Sequence, residues 1–249
     1  MKIYVYILIV LLVPFKANTQ ETGEGNLGAW YMFSGNHRVS DKLSINSGAQ
    51  IREYETTTNL NTLLLLTGLN YNINSNITTS MGYGYLTIDS SYEDVPGENY
   101  TNEHRLYEQV SLKNKLWKFR LEHRYRLEQR FLDFNDRKDT QHRTRYRLQV
   151  TLPITDIFFV NVYDEVFFNL QNEIFNQNRL YTALGVKISK NSKVQLGYLK
   201  NNFNSVAFDR LQLGISINTD FRSHNEKDYA YKTSISLSPN NKDSLLSTD

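Results

Sequence analysis

The sequence predicts an all-β protein, an antiparallel transmembrane β-barrel of about 10–12 strands with short periplasmic turns and longer extracellular loops. Three observations lead to this fold class. One stretch alternates between apolar and charged residues for fifteen positions, alternating segments recur every fifteen to twenty residues, and seventeen Tyr and thirteen Phe stand against only four Pro. Together they favour a wall of strands whose two faces meet different surroundings.

The alternating stretch runs from Trp117 to Phe131. Its odd positions are mostly aromatic or aliphatic. Its even positions carry only charge: Lys118, Arg120, Glu122, Arg124, Arg126, Glu128 and Arg130. A period of two indicates an extended strand. At about 3.3 Å per residue such a strand would span roughly 50 Å, which is longer than most strands of soluble domains and suits a tilted barrel wall.

Ten further segments repeat this alternation, which gives eleven predicted strands in all. They lie at 26–36, 42–54, 60–73, 77–89, 102–112, 116–132, 141–152, 157–170, 178–188, 193–202 and 207–218. Short polar turns, such as Asn114–Lys115, alternate with longer connections such as 90–101. A weaker alternation at 229–237 offers a twelfth strand, so the sequence leaves the strand number open.

The chain divides into three predicted segments. Residues 1–19 resemble a secretory signal peptide, because Lys2 precedes an apolar run that is too short for a spanning helix. Residues 20–221 form the predicted barrel, and residues 222–249 form an extension with one candidate strand and a polar tail. With no Cys, the sequence offers no disulfide, thiol metal site or lipid attachment. These features predict export to the outer membrane of a Gram-negative cell.

The charged residues of the alternating strands are expected to face the lumen, and the apolar residues to face lipid. The predicted lumen network is Arg52, Arg105, Lys118, Arg120, Glu122, Arg124, Arg126, Glu128, Arg130, Arg143, Arg145, Arg147, Glu165, Arg179 and Arg210. Asp164 and Glu108 break the pattern because each falls on the apolar face. A carboxylate is costly against lipid, so Asp164 indicates a bulge, an interfacial position or a protein contact.

The order of the charged motifs resembles an uncharacterised Bacteroidota outer-membrane family, the domain of unknown function 2490. The motifs that carry the resemblance are Glu103-x-Arg105, Arg124-x-Arg126-x-Glu128-x-Arg130-Phe131, Arg143-x-Arg145-x-Arg147 and Tyr163-x-Glu165-x-Phe167. The resemblance covers most of the mature chain. It implies a secreted β-barrel and no activity.

The function predicted from these features is that of a structural outer-membrane barrel with a filled, Arg- and Glu-rich lumen. A small barrel has an interior that its own side chains fill, and Arg forks match carboxylates. The alternative is a small anion-preferring pore, because inward cations outnumber inward Glu by roughly three to one on this assignment, and charged rings tune selectivity. The predicted partners are outer-membrane lipid and, as candidate solutes, small anions.

Two further alternatives stay open, an outer-membrane lipid-modifying enzyme and a soluble, lipocalin-like secreted barrel with its apolar face inward. We expect no enzyme, since no wall position places a Ser plainly beside one of the five histidines: His37, His104, His123, His142 and His224. No catalytic, cofactor-binding or metal-binding residues and no nucleic-acid partner are predicted. The sequence leaves the oligomeric state open.

Overall fold

A computed structural model describes residues 25–92, 100–171 and 174–222 as one closed barrel of eleven strands. The strands are β1 (Gly28–Arg38), β2 (Leu43–Glu53), β3 (Leu60–Asn72), β4 (Ile77–Asp89), β5 (Tyr100–Leu116), β6 (Phe119–Asp133), β7 (Lys138–Pro153), β8 (Phe158–Asn169), β9 (Phe175–Lys187), β10 (Ser192–Phe203) and β11 (Ala207–Asp220). The all-β barrel prediction is therefore confirmed, and each predicted strand has its counterpart. Among the described residues, no helix is long and apolar enough to cross a membrane.

The barrel closes through a parallel pair. Each strand from β1 to β10 pairs antiparallel with the next, and β1 pairs parallel with β11 from Gly28 opposite Arg210 to Arg38 opposite Asp220. An odd number of strands makes this necessary, because the first and eleventh strands of a meander run in the same direction. The predicted antiparallel barrel is therefore confirmed for the pairs of consecutive strands, and the closing pair is parallel. The predicted signal segment 1–19, the candidate strand 229–237 and the tail lie outside the described residues.

The two ends of the barrel differ in their connections. At one end, the turn end, the strands are joined by residues 39–42, 73–76, 117–118, 154–157 and 188–191. At the other, the loop end, they are joined by residues 54–59, 90–99, 134–137, 170–174 and 204–206. The longest connection is at the loop end, as predicted, but the loop after β6 is shorter than the sequence indicated because β7 begins at Lys138.

The β5–β6 hairpin corrects one predicted turn. Asn114 and Lys115 stay in strand β5 opposite Leu121 and Arg120, and the turn consists of Trp117 and Lys118. Trp117 has a φ of 55°. A positive φ at the first central residue suits a two-residue hairpin turn, whose twist then matches that of the strands. Lys118 therefore lies in a turn and not on the barrel wall.

Side-chain polarity is inverted relative to a soluble barrel. Inward positions on β5 to β8 carry the charged residues, among them Glu103 and Glu128 with no exposed surface, while outward positions carry exposed apolar residues such as Leu106 and Tyr125. A lipocalin-like barrel would need the reverse arrangement, with its apolar face inside. Glu108 and Asp164 both face outward and are exposed. The strand register runs unbroken through Asp164, which excludes the bulge among the three alternatives for this residue; the irregularity lies at Phe167/Phe168. Asp164 makes a protein contact instead, because its Oδ1 accepts from Asn178 Nδ2.

The lumen is filled by aromatic as well as charged side chains. A cluster of Trp30, Tyr163, Tyr181, Ala183 and Leu199 packs across the interior from the seam strands to β8. Small residues on the facing wall make room for large ones: a Cβ on Gly82 would lie 2.5 Å from the Tyr107 hydroxyl oxygen. The interior is therefore close-packed in the middle of the barrel.

Candidate functional site

Three buried carboxylates, Glu103 on β5, Glu128 on β6 and Glu165 on β8, organise one side of the lumen. Their strands are brought together by the antiparallel register, which places Glu128 opposite Tyr107 and Arg143, and Glu165 opposite Arg147 and Arg179. We call these carboxylates and their arginine partners the paired cluster: Glu103, Glu128, Glu165, Arg105, Arg124, Arg130, Arg143 and Arg145.

Glu128 is the centre of the paired cluster. Its Oε2 accepts from Arg143 Nε at 2.9 Å and Nη2 at 2.6 Å, and its Oε1 accepts from Arg145 Nη1 at 2.6 Å. Arg105 and Arg126 each place a guanidinium nitrogen 3.8 Å from the same Oε1. Four cations thus surround one fully buried anion, so its charge is fully matched by its neighbours.

Glu103 and Glu165 each bind two arginines. Arg130 contacts Glu103 as a fork, with Nε 2.9 Å from Oε1 and Nη2 2.7 Å from Oε2, while Arg105 Nε lies 2.6 Å from Oε1. Glu165 Oε1 accepts from Arg145 Nη2 at 2.7 Å and from Arg124 Nη2 at 2.5 Å. Because Arg145 binds both Glu128 and Glu165, it links two of the carboxylates into one network.

Toward the turn end the network becomes looser. Arg147 Nη2 lies 3.2 Å from Glu122, and Arg126 donates to Gln109 Oε1 at 2.6 Å and 2.9 Å. Arg120 is exposed near this end, and Lys118 is in the turn. Neither makes an ion pair among the described residues, so these two predicted members stand apart from the network.

Three predicted lumen arginines, Arg52 on β2, Arg179 on β9 and Arg210 on β11, have only neutral hydrogen-bond acceptors. Arg52 Nη2 donates to Gln50 Oε1 at 2.8 Å, and its buried Nε has no partner among the described residues. Arg210 Nη1 donates to the backbone oxygens of Asn26 and Asp209 at 3.1 Å and 3.0 Å.

Arg179 Nε donates to Asn201 Oδ1 at 3.3 Å, and the Gln177 amide is best oriented with its oxygen 3.0 Å from Arg179. Within the described part of the chain, no carboxylate oxygen lies within 4.0 Å of any of the three guanidinium groups. We call Arg52, Arg179 and Arg210 the unpaired arginines.

Trp30 joins two of the unpaired arginines. The guanidinium carbon of Arg52 lies 4.2 Å from the centroid of its ring, and that of Arg179 lies 4.9 Å from it. Arg179 also lies 4.6 Å from the ring of Phe167, which is fully buried and contacts Arg143 and Arg145 as well. Aromatic faces stabilise the stacked cations without neutralising their charge. The sequence analysis missed Trp30, although its inward parity next to Arg52 could have indicated it.

A cavity of about 320 Å³ lies where the two groups of arginines meet, toward the loop end. Its lining includes seven arginines: Arg52, Arg105, Arg130, Arg143, Arg145, Arg179 and Arg210. The rest is aromatic, aliphatic or neutral polar, and no described Asp or Glu lines it. We call this cavity the vestibule. Its size falls within the range of small-molecule pockets.

Loop-end residues order the rim of the barrel near the vestibule. The Tyr92 hydroxyl donates to Glu55 Oε1 at 2.6 Å, and Thr58 donates to Glu55 Oε2 at 2.8 Å. The bond from Tyr92, with a smaller effect from Thr58, lowers the pKa of Glu55 from its usual value, and the same bond raises the pKa of Tyr92. Glu55 therefore stays ionised and held by the loop at neutral pH.

One histidine on the outer face does lie beside a serine, which corrects the sequence-based expectation. His37 Nε2 is 2.9 Å from Ser47 Oγ, and Nδ1 is 2.7 Å from Thr219 Oγ1. A hydroxyl thus takes the place of the carboxylate that orients the base in a serine hydrolase triad. Strand β2 is paired on both sides, so its backbone N–H groups serve the ladder and not an oxyanion.

The other described histidines lie on the outer face, where His104 bonds Tyr83 and His123 bonds Tyr146. His224 lies outside the described residues. No group of three or more His, Cys, Asp or Glu among the residues described could hold a metal ion.

Comparison with known proteins gives a family without an activity. A family model described as a protein of unknown function, DUF2490, matches residues 27–212, which include all but the end of the barrel. No curated protein matches the chain.

Proposed function

We propose that this chain, which belongs to the DUF2490 family of proteins of unknown function, is an outer-membrane β-barrel with a closed lumen. The observation that carries the proposal is the inversion of polarity across the wall. Buried carboxylates bind arginines inside, and apolar side chains are exposed outside. Such an outer face needs an apolar environment, and a bilayer supplies one on all sides of the barrel.

The dimensions of the wall support a membrane location. The strands have 11 to 17 residues, and a tilted strand needs only about 9–11 to cross a bilayer. Exposed large apolar residues occur on every strand except β7. Outward aromatics also lie toward both ends, with Phe119 and Phe158 near the turn end and Tyr100 and Phe131 near the loop end. Aromatic girdles of this kind mark the two interfaces of a membrane barrel.

The packing of the lumen supports a closed barrel. Tyr181, Phe167 and Leu199 are fully buried inside the wall, as are Glu103 and Glu128. A water-filled path would require these side chains to move apart, and separating the buried ion pairs among them is costly. A barrel held by such contacts anchors its two sets of loops at opposite membrane faces without offering a water-filled path.

The test has a location arm and a permeability arm. We expect the protein to fractionate with outer membranes and to migrate faster on gels before boiling than after it. In vesicles loaded with lucigenin, a dye that chloride quenches, added chloride should quench no faster with the protein than without it. Recovery in the soluble fraction would contradict the location, and protein-dependent quenching would contradict the closed lumen.

An anion-preferring pore is the second candidate, and the unpaired arginines favour it. Three cations without carboxylate partners would attract anions to the lumen. Fast chloride quenching that is slowed by Arg179→Gln would support the pore instead of the closed barrel.

A lipid hydrolase rests on the Ser47–His37 hydrogen bond alone. The test is release of fatty acid from phospholipid vesicles by the purified protein, with Ser47→Ala as the matched variant. We expect equal, background release from both proteins. Release that depends on Ser47 would establish an activity that the closed-barrel proposal does not include.

A further inference from the structure

We propose that the vestibule is a binding site for a small soluble solute with a phosphoryl group that carries at least two negative charges. This inference goes beyond the closed barrel and does not depend on membrane location, because it concerns only the loop-end part of the lumen. It rests on three features of the vestibule: unmatched charge, the direction of the donors and the aromatic floor.

The first feature is unmatched charge. Arg52, Arg179 and Arg210 have no carboxylate oxygen within 4.0 Å among the described residues. Their acceptors are amide and backbone oxygens. Partly buried cations that face each other across a small space repel, and an anion between them relieves both the repulsion and the lost hydration. A ligand with one negative charge would leave most of the positive charge of these three arginines unmatched, so a doubly charged ligand fits better.

The second feature is the direction of the donors. The unpaired arginines come from β2, β9 and β11, and the four other arginines of the lining come from β5, β6 and β7. Those four are bound to Glu103, Glu128 and Glu165, so the donors that a ligand can use are those of the unpaired arginines, which approach the cavity from three separate strands. A carboxylate presents two oxygens in a plane, whereas a terminal phosphoryl group presents three oxygens in three directions. Arginine forks bind phosphate oxygens in pairs, so the arrangement favours phosphate.

The third feature is the aromatic floor. Trp30 lies in van der Waals reach of both Arg52 and Arg179, and Phe203 and Phe208 line the same cavity. Stacking on Trp30 holds two guanidinium groups in place before a ligand arrives, which lowers the entropy lost on binding. The same contact makes the indole of Trp30 a reporter of any anion that draws the guanidinium groups away.

The test uses that reporter. The sequence has two Trp, and the second, Trp117, is 86 % exposed in the turn at the other end. In Trp117→Phe protein in detergent, all Trp emission comes from Trp30. We expect pyrophosphate to change this emission saturably, with an apparent Kd at least tenfold lower than that of acetate at equal ionic strength. Inorganic phosphate should act in the same way and more weakly.

Three arms can overturn the proposal. Citrate that binds as tightly as pyrophosphate would make the site a general polyanion site. An emission change that acetate reproduces at the same ionic strength would reduce it to charge screening. A response confined to micelles doped with phosphatidic acid would replace the soluble solute by a lipid headgroup.

Matched variants separate the site from the rest of the lumen. Arg52→Gln with Arg179→Gln should raise the apparent Kd for pyrophosphate at least tenfold, because both forks are lost. Arg120→Gln, which removes an exposed cation near the turn end, should leave it unchanged. Heat-modifiable migration on gels reports folding of each variant. If the double variant does not fold, Arg210→Gln serves in its place, and an unchanged Kd in a folded variant contradicts the proposal.

Discussion

The paired cluster and the unpaired arginines occupy two sides of one lumen and differ in a single respect, the presence of carboxylates. On β5 to β8, Glu103, Glu128 and Glu165 bind arginines at 2.5 to 3.0 Å. On β2, β9 and β11, arginines of the same inward parity find only amide and backbone oxygens. On the first side every arginine of the cluster has a carboxylate partner, whereas on the second side none of the three arginines has one. The same residue type therefore closes the barrel on one side and forms a ligand site on the other.

The strongest test of this comparison removes the central carboxylate. Glu128→Gln keeps the shape of the side chain. It leaves Arg143 without its charged partner and removes one of the two carboxylates that bind Arg145. We expect it to lower the free energy of unfolding by about 3–5 kcal/mol, the cost of breaking a buried ion pair. Urea titration followed by gel migration would measure it.

The matched control is Glu108→Gln, the same change on the exposed outer face of the neighbouring strand. It removes a charge that is costly against lipid, so the free energy of unfolding should stay equal or rise. Equal losses for the two variants would mean that the inner carboxylate is no more important than the outer one.

A second comparison removes one arginine from each side. Arg145→Gln breaks contacts to both Glu128 and Glu165 and should cost about 3 kcal/mol. Arg179→Gln loses stacking on Trp30 and Phe167 but also relieves repulsion, so we expect about 1 kcal/mol or less. Thermal or urea unfolding of both variants under one set of conditions checks the order. A larger loss for Arg179 would show that this arginine is needed for folding.

Ligand should stabilise the barrel through the unpaired side only. A ligand at one hundred times its Kd adds about 2.7 kcal/mol to the free energy of unfolding. Pyrophosphate should therefore raise the unfolding midpoint of the unchanged protein and of Arg120→Gln. It should not do so for Arg52→Gln combined with Arg179→Gln. A midpoint that rises equally in all three would assign the effect to salt.

The smallest effect is expected far from both sides of the lumen. Trp117 has a positive φ that Gly adopts without strain. Trp117→Gly should therefore raise the free energy of unfolding by roughly 1 kcal/mol through the turn alone. Trp117→Phe keeps the strain and should be neutral, which the fluorescence experiment requires. Urea midpoints in detergent measure both variants. Destabilisation by Phe would show that the indole itself supports the hairpin.

Much of the barrel could be predicted because parity is a local property of the chain. The alternation from Trp117 to Phe131 gave the inside and the outside of β6, and the strands after it followed the same rule. The predicted turn at Asn114–Lys115 was wrong because β5 continues through these two polar residues to Leu116. The parallel seam depends on the total number of strands, which no local pattern contains.

The division of the lumen could not be predicted from parity. Arg145 and Arg179 look alike in sequence, since each follows a polar residue on an alternating strand. Their difference depends on how the side chains pack in the closed lumen. Arg145 lies between Glu128 and Glu165, whereas Arg179 stacks on Trp30 although the register places it opposite Glu165. Contacts between side chains in the folded barrel decide which arginine binds a carboxylate. Counting the inward charges in the sequence gives only the excess of cations over carboxylates.

Single-channel recording of the purified protein in planar bilayers tests the central claim most directly, because it asks whether the two sides of the lumen leave a path between them. With symmetric potassium chloride, we predict no conductance steps above the bare bilayer, although the protein is folded and inserted by gel and protease criteria. Reproducible steps with a reversal potential that indicates anion preference in a salt gradient would contradict the closed lumen.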